Sequence, residues 1–120
     1  MYIYPFSDIL DRISITELKV ERIGEETCIK EYNFLMKELE EYDFPEKFEY
    51  IKRLKEINGR IWDLEADIRA CKEEELGLEE VGRRAIQIRK INKQRIAVKN
   101  EIVEKTKTGF LDIKMNHESE

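Results

Sequence analysis

Histidine is almost absent from this chain: His117, close to the last residue, is the only one. A Ser-His or Cys-His nucleophile pair, or a histidine-rich metal site, would have to recruit a side chain from a segment where fraying is the rule. Cysteine is nearly as scarce. Cys28 and Cys71 both fall near apolar stripes, where a free thiol behaves as a small hydrophobe, so both are read as reduced and buried. No glycine-rich phosphate loop, paired-cysteine metal motif or HExxH run occurs, and no cofactor is implied. No stretch approaches the roughly 20 apolar residues of a membrane span. The opening MYIYPFSDIL lacks the basic start and long apolar run of a signal peptide, so the expectation is a cytoplasmic protein with no membrane partner.

What remains is charged and hydrophobic residues in equal shares, 41% of the chain each, with only two prolines and five glycines, a balance that belongs to helical proteins rich in long side chains. A length of 120 residues fits one domain, 1–120, able to bury its own core without metal or disulfide. The net charge of −5 is unevenly spread: Arg83 to Asn100 holds seven Lys or Arg and no acid, whereas Glu25 to Glu49 holds nine acids against three lysines. Complementarity between those two stretches is the expected reason. Nucleic acid is disfavoured as a partner, because the chain is acidic overall and three of the seven basic residues project toward a core sector.

Taken in order, residues 1–6 read as an extended arm ending at Pro5 and Phe6, and Ser7 as an N-cap with Asp8 in the first turn. The helix that follows is apolar on more than one side, through Ile9, Ile13, Val20 and Ile23 and also Leu10, Ile15 and Leu18, which predicts cover on more than one side. Gly24 breaks the chain. A second helix to about Tyr42 turns Cys28, Ile29, Tyr32, Leu35, Met36 and Leu39 inward. In EYDFPEKF, Asp43 can cap and Pro45 suits a first turn, opening a long helix to about Glu75, roughly 45 Å at about 1.5 Å per residue. Gly59 within it points to close approach by a neighbour or ligand beside Asn58 and Trp62, or else is a tolerated surface glycine. Gly77 ends this helix, and another of comparable length runs to about Lys105. Residues 108–120 are expected to dock on the bundle through Phe110, Leu111, Ile113 and Met115, or pair with the arm, and then fray. The predicted fold is all-α: an antiparallel helical bundle of two shorter N-terminal helices plus a long helical hairpin. Such hairpins commonly complete their burial by pairing, so a homodimer is expected.

Projected at roughly 100° per residue, the first long helix gathers Ile51, Leu54, Ile57, Ile61, Leu64 and Ile68 in one sector, and Asn58, Trp62, Glu65 and Arg69 stack along its edge. On the second, Val81, Ala85, Ile88, Ile91, Val98 and Ile102 define the apolar face, yet Arg84, Asn92, Arg95 and Lys99 share its sector. Polar groups held against a core need partners. Glu65 is the obvious acceptor for Arg95 or Lys99, and Asn58 could pair with Asn92. The expected ligand-binding cluster is therefore Asn58, Trp62, Glu65, Arg69, Asn92, Arg95 and Lys99, with arginine suited to bidentate recognition of carboxylate or phosphate. Asp63 and Asp67 share the outer face and read as solvated acids.

The runs NGRIWDLEADIR and AIQIRKINKQR resemble a family of small helical bacterial proteins of unknown function, associated with glycosyltransferases and polysaccharide loci. The likeness lies in Asn58, Trp62, Glu65 and Arg69, then in Ile88, Ile91, Asn92 and Arg95, and at the start in Asp11, Ile15 and Lys19. Asp63 stands where that pattern has a histidine and Ala66 where it has an acid, so no metal or acid–base role resting on that histidine carries over. The resemblance brings no chemistry with it beyond the link to saccharide metabolism; with the polar cluster, it gives the expectation of a non-enzymatic accessory or binding protein that holds an anionic or sugar-containing small molecule between the long helices. One alternative is a magnesium-dependent α-helical nucleotide hydrolase with Glu65 and neighbouring carboxylates as ligands, although the ExxE and later ExxD runs of such enzymes are not matched. Another is a structural, protein-interaction module in which the cluster fixes helix register.

Overall fold

The computed structural model describes residues 5–70 and 72–106, which form five helices: α1 (Phe6–Arg22), α2 (Glu26–Leu39), α3 (Lys47–Arg69), α4 (Glu73–Leu76) and α5 (Leu78–Thr106). The fold is all-α, with α3 and α5 as the long hairpin. The expected docking of residues 110–115, His117, Cys71 and most of the N-terminal arm lie outside the described residues.

α1 is the helix on which the others converge, packing against α2, α3 and α5. Ile9, Leu10, Ile13 and Leu18 are buried, and so are the small polar residues Ser14 and Thr16, while Ile15 and Val20 are partly buried and Ile23, expected to be covered, is 50% exposed past the end of the helix. Those two hydroxyls donate back to main-chain carbonyls of the same helix, Ser14 to Asp11 at 2.6 Å and Thr16 to Arg12 at 2.7 Å, so neither donor needs a partner helix. The core continues through Leu35 and Leu39 of α2, Tyr50, Ile51, Leu54 and Ile57 of α3, and Val98 and Ile102 of α5. Cys28 is a buried free thiol, as its stripe predicts, while Ile29 is 43% exposed rather than inward.

Local signals mislead where packing outweighs them. α1 starts at Phe6, not after a Ser7 cap: Pro5 takes the cap position, its carbonyl accepting from the amides of Asp8 and Ile9, and Ser7 is buried inside the helix. The reason is Phe6, 2% exposed, whose ring stacks on Tyr42 at 4.4 Å and meets Phe44 edge-on at 5.5 Å. Burial of one such ring outweighs a cap that contributes about 1 kcal/mol. α2 stops at Leu39, and α3 begins with Glu46 rather than Asp43 in the cap position. α3 also ends early, at Arg69 instead of Glu75, so it measures about 35 Å. The break places Glu73, Glu74 and Glu75 in the first turn of α4, where negative charge suits the helix dipole, instead of stacking them at the end of a long helix, where it does not. Gly77, at φ 82°, makes the turn into α5.

The charge segregation has a different cause from the one expected. The basic stretch of α5 pairs with Asp8 and Asp11 of α1, with Asp67 and with its own Glu79 and Glu80, while the acidic stretch meets Arg12 and Lys19 through Glu31. α1 stands between them and takes both.

Candidate functional site

Where α1, α3 and α5 diverge past Ile57, a cleft of about 490 Å³ opens, lined by Ile15 and Leu18 of α1, Asn58, Ile61, Trp62, Glu65 and Arg69 of α3, and Ile88, Asn92 and Arg95 of α5. That volume lies within the usual range for small-molecule sites, about 300–1,000 Å³, and its mix of aliphatic wall, one indole and a few polar groups is the usual lining. Six of the seven residues expected to cluster line this one cleft. The seventh, Lys99, does not; its ammonium pairs with Asp8 at 2.8 Å.

The floor is a polar network organised by a residue that helix projection of the hairpin could not supply. Asp11, 3% exposed, accepts from Arg95 Nε at 3.1 Å and Nη2 at 2.7 Å, and from Asn58 Nδ2 at 3.0 Å. Asn58 Nδ2 also donates to Ser14 Oγ at 2.9 Å, and Arg95 Nη1 donates to Asn92 Oδ1 at 3.0 Å. The two expected pairings, Glu65 with Arg95 or Lys99 and Asn58 with Asn92, are therefore corrected: Asn58, Arg95 and Lys99 turn to α1, and Glu65 pairs with Arg69 of its own helix. The physical reason is proximity and burial. A guanidinium at the core edge finds a fully enclosed carboxylate one helix away, and the bidentate fork fits it. Asp11 lies in one of the segments that carry the family resemblance, and that was its only signal in the sequence.

The rim is looser. Arg69 Nη1 donates to Glu65 Oε2 at 3.0 Å and Nη2 to the Trp62 carbonyl at 3.4 Å, with both charged side chains close to half exposed. Trp62 carries two cations over its ring, Arg69 at 4.8 Å and Arg22 at 5.6 Å, and Arg22 is in turn held by Asp63 at 2.7 Å. Gly59 is buried here against α1. A Cβ would lie 3.5 Å from Arg22 Nη2 and 3.7 Å from a Leu18 methyl, so the helices do approach closely, at ordinary contact distance.

The shifted titrations lie elsewhere. Burial and then a bond to Glu101 push the Tyr50 phenol up, while Arg53 and Tyr50 hold Glu101 below the usual carboxylate range. This group clamps the start of α3 to the end of α5, with Arg53 and Lys105 over the Tyr50 ring, and Tyr50 itself is 2% exposed. The carboxylates that a magnesium site would need do not converge: Asp63 faces Arg22, Glu65 faces Arg69, and Asp67 faces Arg84 and Lys72. Among the described residues no group of three metal-ligating side chains forms, and no helix is long and apolar enough to cross a membrane.

Compared with known proteins, the chain matches no family model, no curated protein and no solved structure.

The floor network makes its own prediction. Arg95→Met leaves the Asp11 charge buried without its counterion and should lower unfolding free energy by about 3 kcal/mol, toward the low end for buried pairs because Arg95 is partly exposed. Asp11→Leu should cost a similar amount, and the double variant should recover much of it in a urea-denaturation cycle. Strictly additive losses would show that the pair does not act as a unit.

Proposed function

We propose that this protein is a non-catalytic binding protein that holds a small polar molecule, anionic or sugar-containing, in the cleft between α1, α3 and α5. The observation that carries this reading is the division of the cleft into two parts: a floor whose charges are already paired, and an open rim where Trp62 and Arg69 stand at the surface. A purely structural network would be enclosed throughout. Among the described residues the lining includes no Ser, Thr, Cys, Lys, Tyr or His, and its one carboxylate among them, Glu65, is engaged by Arg69. That favours binding over a hydrolase. The saccharide connection rests on the family resemblance, whose three segments meet here through Asp11 and Ile15, Asn58 to Arg69, and Ile88 to Arg95.

Because Trp62 is the only tryptophan, its emission reports on the cleft directly. In a thermal-shift screen of sugar phosphates, sugar nucleotides and uronates, at least one class should raise the melting temperature and change tryptophan emission together. If every compound leaves both unchanged, the binding reading fails.

We also infer that two copies pair through the outward face of α5. Leu78 is 89% and Ile86 50% exposed, and Gly82 between them has open space above it. Among the described residues, exposed Glu73, Glu74 and Glu75 at the tip and exposed Arg89, Lys90 and Lys93, roughly 17 Å or more along α5, have no ion partners. A two-fold axis near Ile86 brings each acidic tip to the other copy's basic stretch, which makes the surface self-complementary. Light scattering at micromolar concentration should return about twice the 14.4 kDa chain mass, falling toward one chain at high salt. A single-chain mass at low salt contradicts the pairing.

A further inference from the structure

Two details of the cleft bear on its ligand, and the inference drawn from them rests on the binding reading above. The first is at the floor. Asn58 spends its amide nitrogen on both Asp11 and Ser14, and its Oδ1 accepts no bond among the described residues. Asn92 turns its Oδ1 to Arg95, and its Nδ2 donates no bond among the described residues. Among the described residues no fully buried polar side-chain atom lacks a partner, so the Asn58 oxygen is not wholly enclosed, although the residue is buried. The floor thus offers one acceptor and one donor, each aimed by the Asp11–Arg95 network. A hydroxyl, which both donates and accepts, answers such a pair.

The second detail is at the rim. Arg69 is the cation best placed for an incoming anion: Arg95 is neutralised by Asp11 inside the cleft, whereas the partner of Arg69 is a half-exposed carboxylate one turn back on its own helix. Exposed pairs of that spacing are weak and readily exchanged. Glu65 also lines the cleft, so its carboxylate and a ligand's anion would compete for the same guanidinium.

We propose that the ligand is a hydroxylated ring bearing one anionic group, and that Glu65 is a built-in competitor for Arg69 which the ligand's anion displaces. The hydroxyls meet Asn58 Oδ1 and Asn92 Nδ2, the ring lies against the aliphatic wall and Trp62, and the anion takes the guanidinium of Arg69. The competitor sets affinity, since binding must break the Glu65–Arg69 pair and place two negative charges near one another.

The test uses the full chain and three probes: galacturonate, which carries a carboxylate, glucose 1-phosphate, which carries a phosphate, and neutral glucose. Affinities come from Trp62 emission for the wild type, Glu65→Gln and Arg69→Gln. Glu65→Gln should tighten one or both anionic probes by about fivefold, because it removes both the competing carboxylate and its repulsion. Arg69→Gln should weaken the same probe about tenfold or more. Glucose should bind wild type and Glu65→Gln alike. The better of galacturonate and glucose 1-phosphate names the anion. Both substituted side chains stand at the surface, and unchanged melting temperatures confirm that the fold is kept. Equal or weaker binding to Glu65→Gln overturns the competitor role while leaving the cleft a binding site; no response from any probe with any of the three proteins overturns this ligand and its competitor, and silence across the wider screen of sugar phosphates, sugar nucleotides and uronates overturns the binding reading as well.

Discussion

A single carboxylate enclosed among three helices is the constraint on which the cleft depends. Asp11 is almost completely removed from water, and a buried charge is tolerable only when paired and hydrogen-bonded. Arg95 from α5 and Asn58 from α3 meet that requirement together, so the three helices are tied at one point whose geometry has little freedom. The hydrophobic core below the tie, from Leu10 and Ile13 to Leu54 and Ile102, provides the bulk of the stabilisation, but its contacts are non-directional and specify the helix orientation less sharply. The polar tie is directional, and it settles which side chains of α3 and α5 face the space above it.

That division explains why the same residues read as both structural and functional. Arg95 lines the cleft and holds the fold, and the amide groups of Asn58 and Asn92 are each half committed to the network, which leaves one oxygen and one amide nitrogen without a partner among the described residues. Preorganisation of this kind lowers the ordering that binding would otherwise require. The rim is its opposite. Trp62, Glu65 and Arg69 are held by contacts within one helix and by stacking, and these exchange easily. The arrangement is a rigid floor under a replaceable edge.

Much of this was legible in the sequence, and what was not has a physical reason. Periodicity placed Asn58, Trp62, Glu65 and Arg69 on one edge of α3 and Asn92 and Arg95 in the facing sector of α5, because the 3.6-residue turn alone decides which side chains share a face. The same periodicity says nothing about how two helices slide past each other, nor which third helix lies between, so the partners of Arg95 and Asn58 were missed. Asp11 reads as an ordinary first-helix acid until α1 is seen buried on several sides. Ser7 and Asp43 failed as caps for a related reason: a cap competes at about 1 kcal/mol with the burial of Phe6, Phe44 and Tyr50 in one aromatic group. The break after Arg69 carries neither glycine nor proline, and only the crowding of Glu73, Glu74 and Glu75 hinted at it.

The central claim is that a polar ligand rests on the floor held by Asp11 and Arg95. The most direct measurement follows the side-chain N–H signals of the protein by nuclear magnetic resonance during titration with galacturonate or glucose 1-phosphate. The Trp62 indole and Asn92 amide signals should move together and saturably, while the Asn58 amide, already donating to Asp11 and Ser14, should move least of the three. Shifts scattered over the outer faces of α2 and α5, with Trp62 and Asn92 unmoved, would contradict the account.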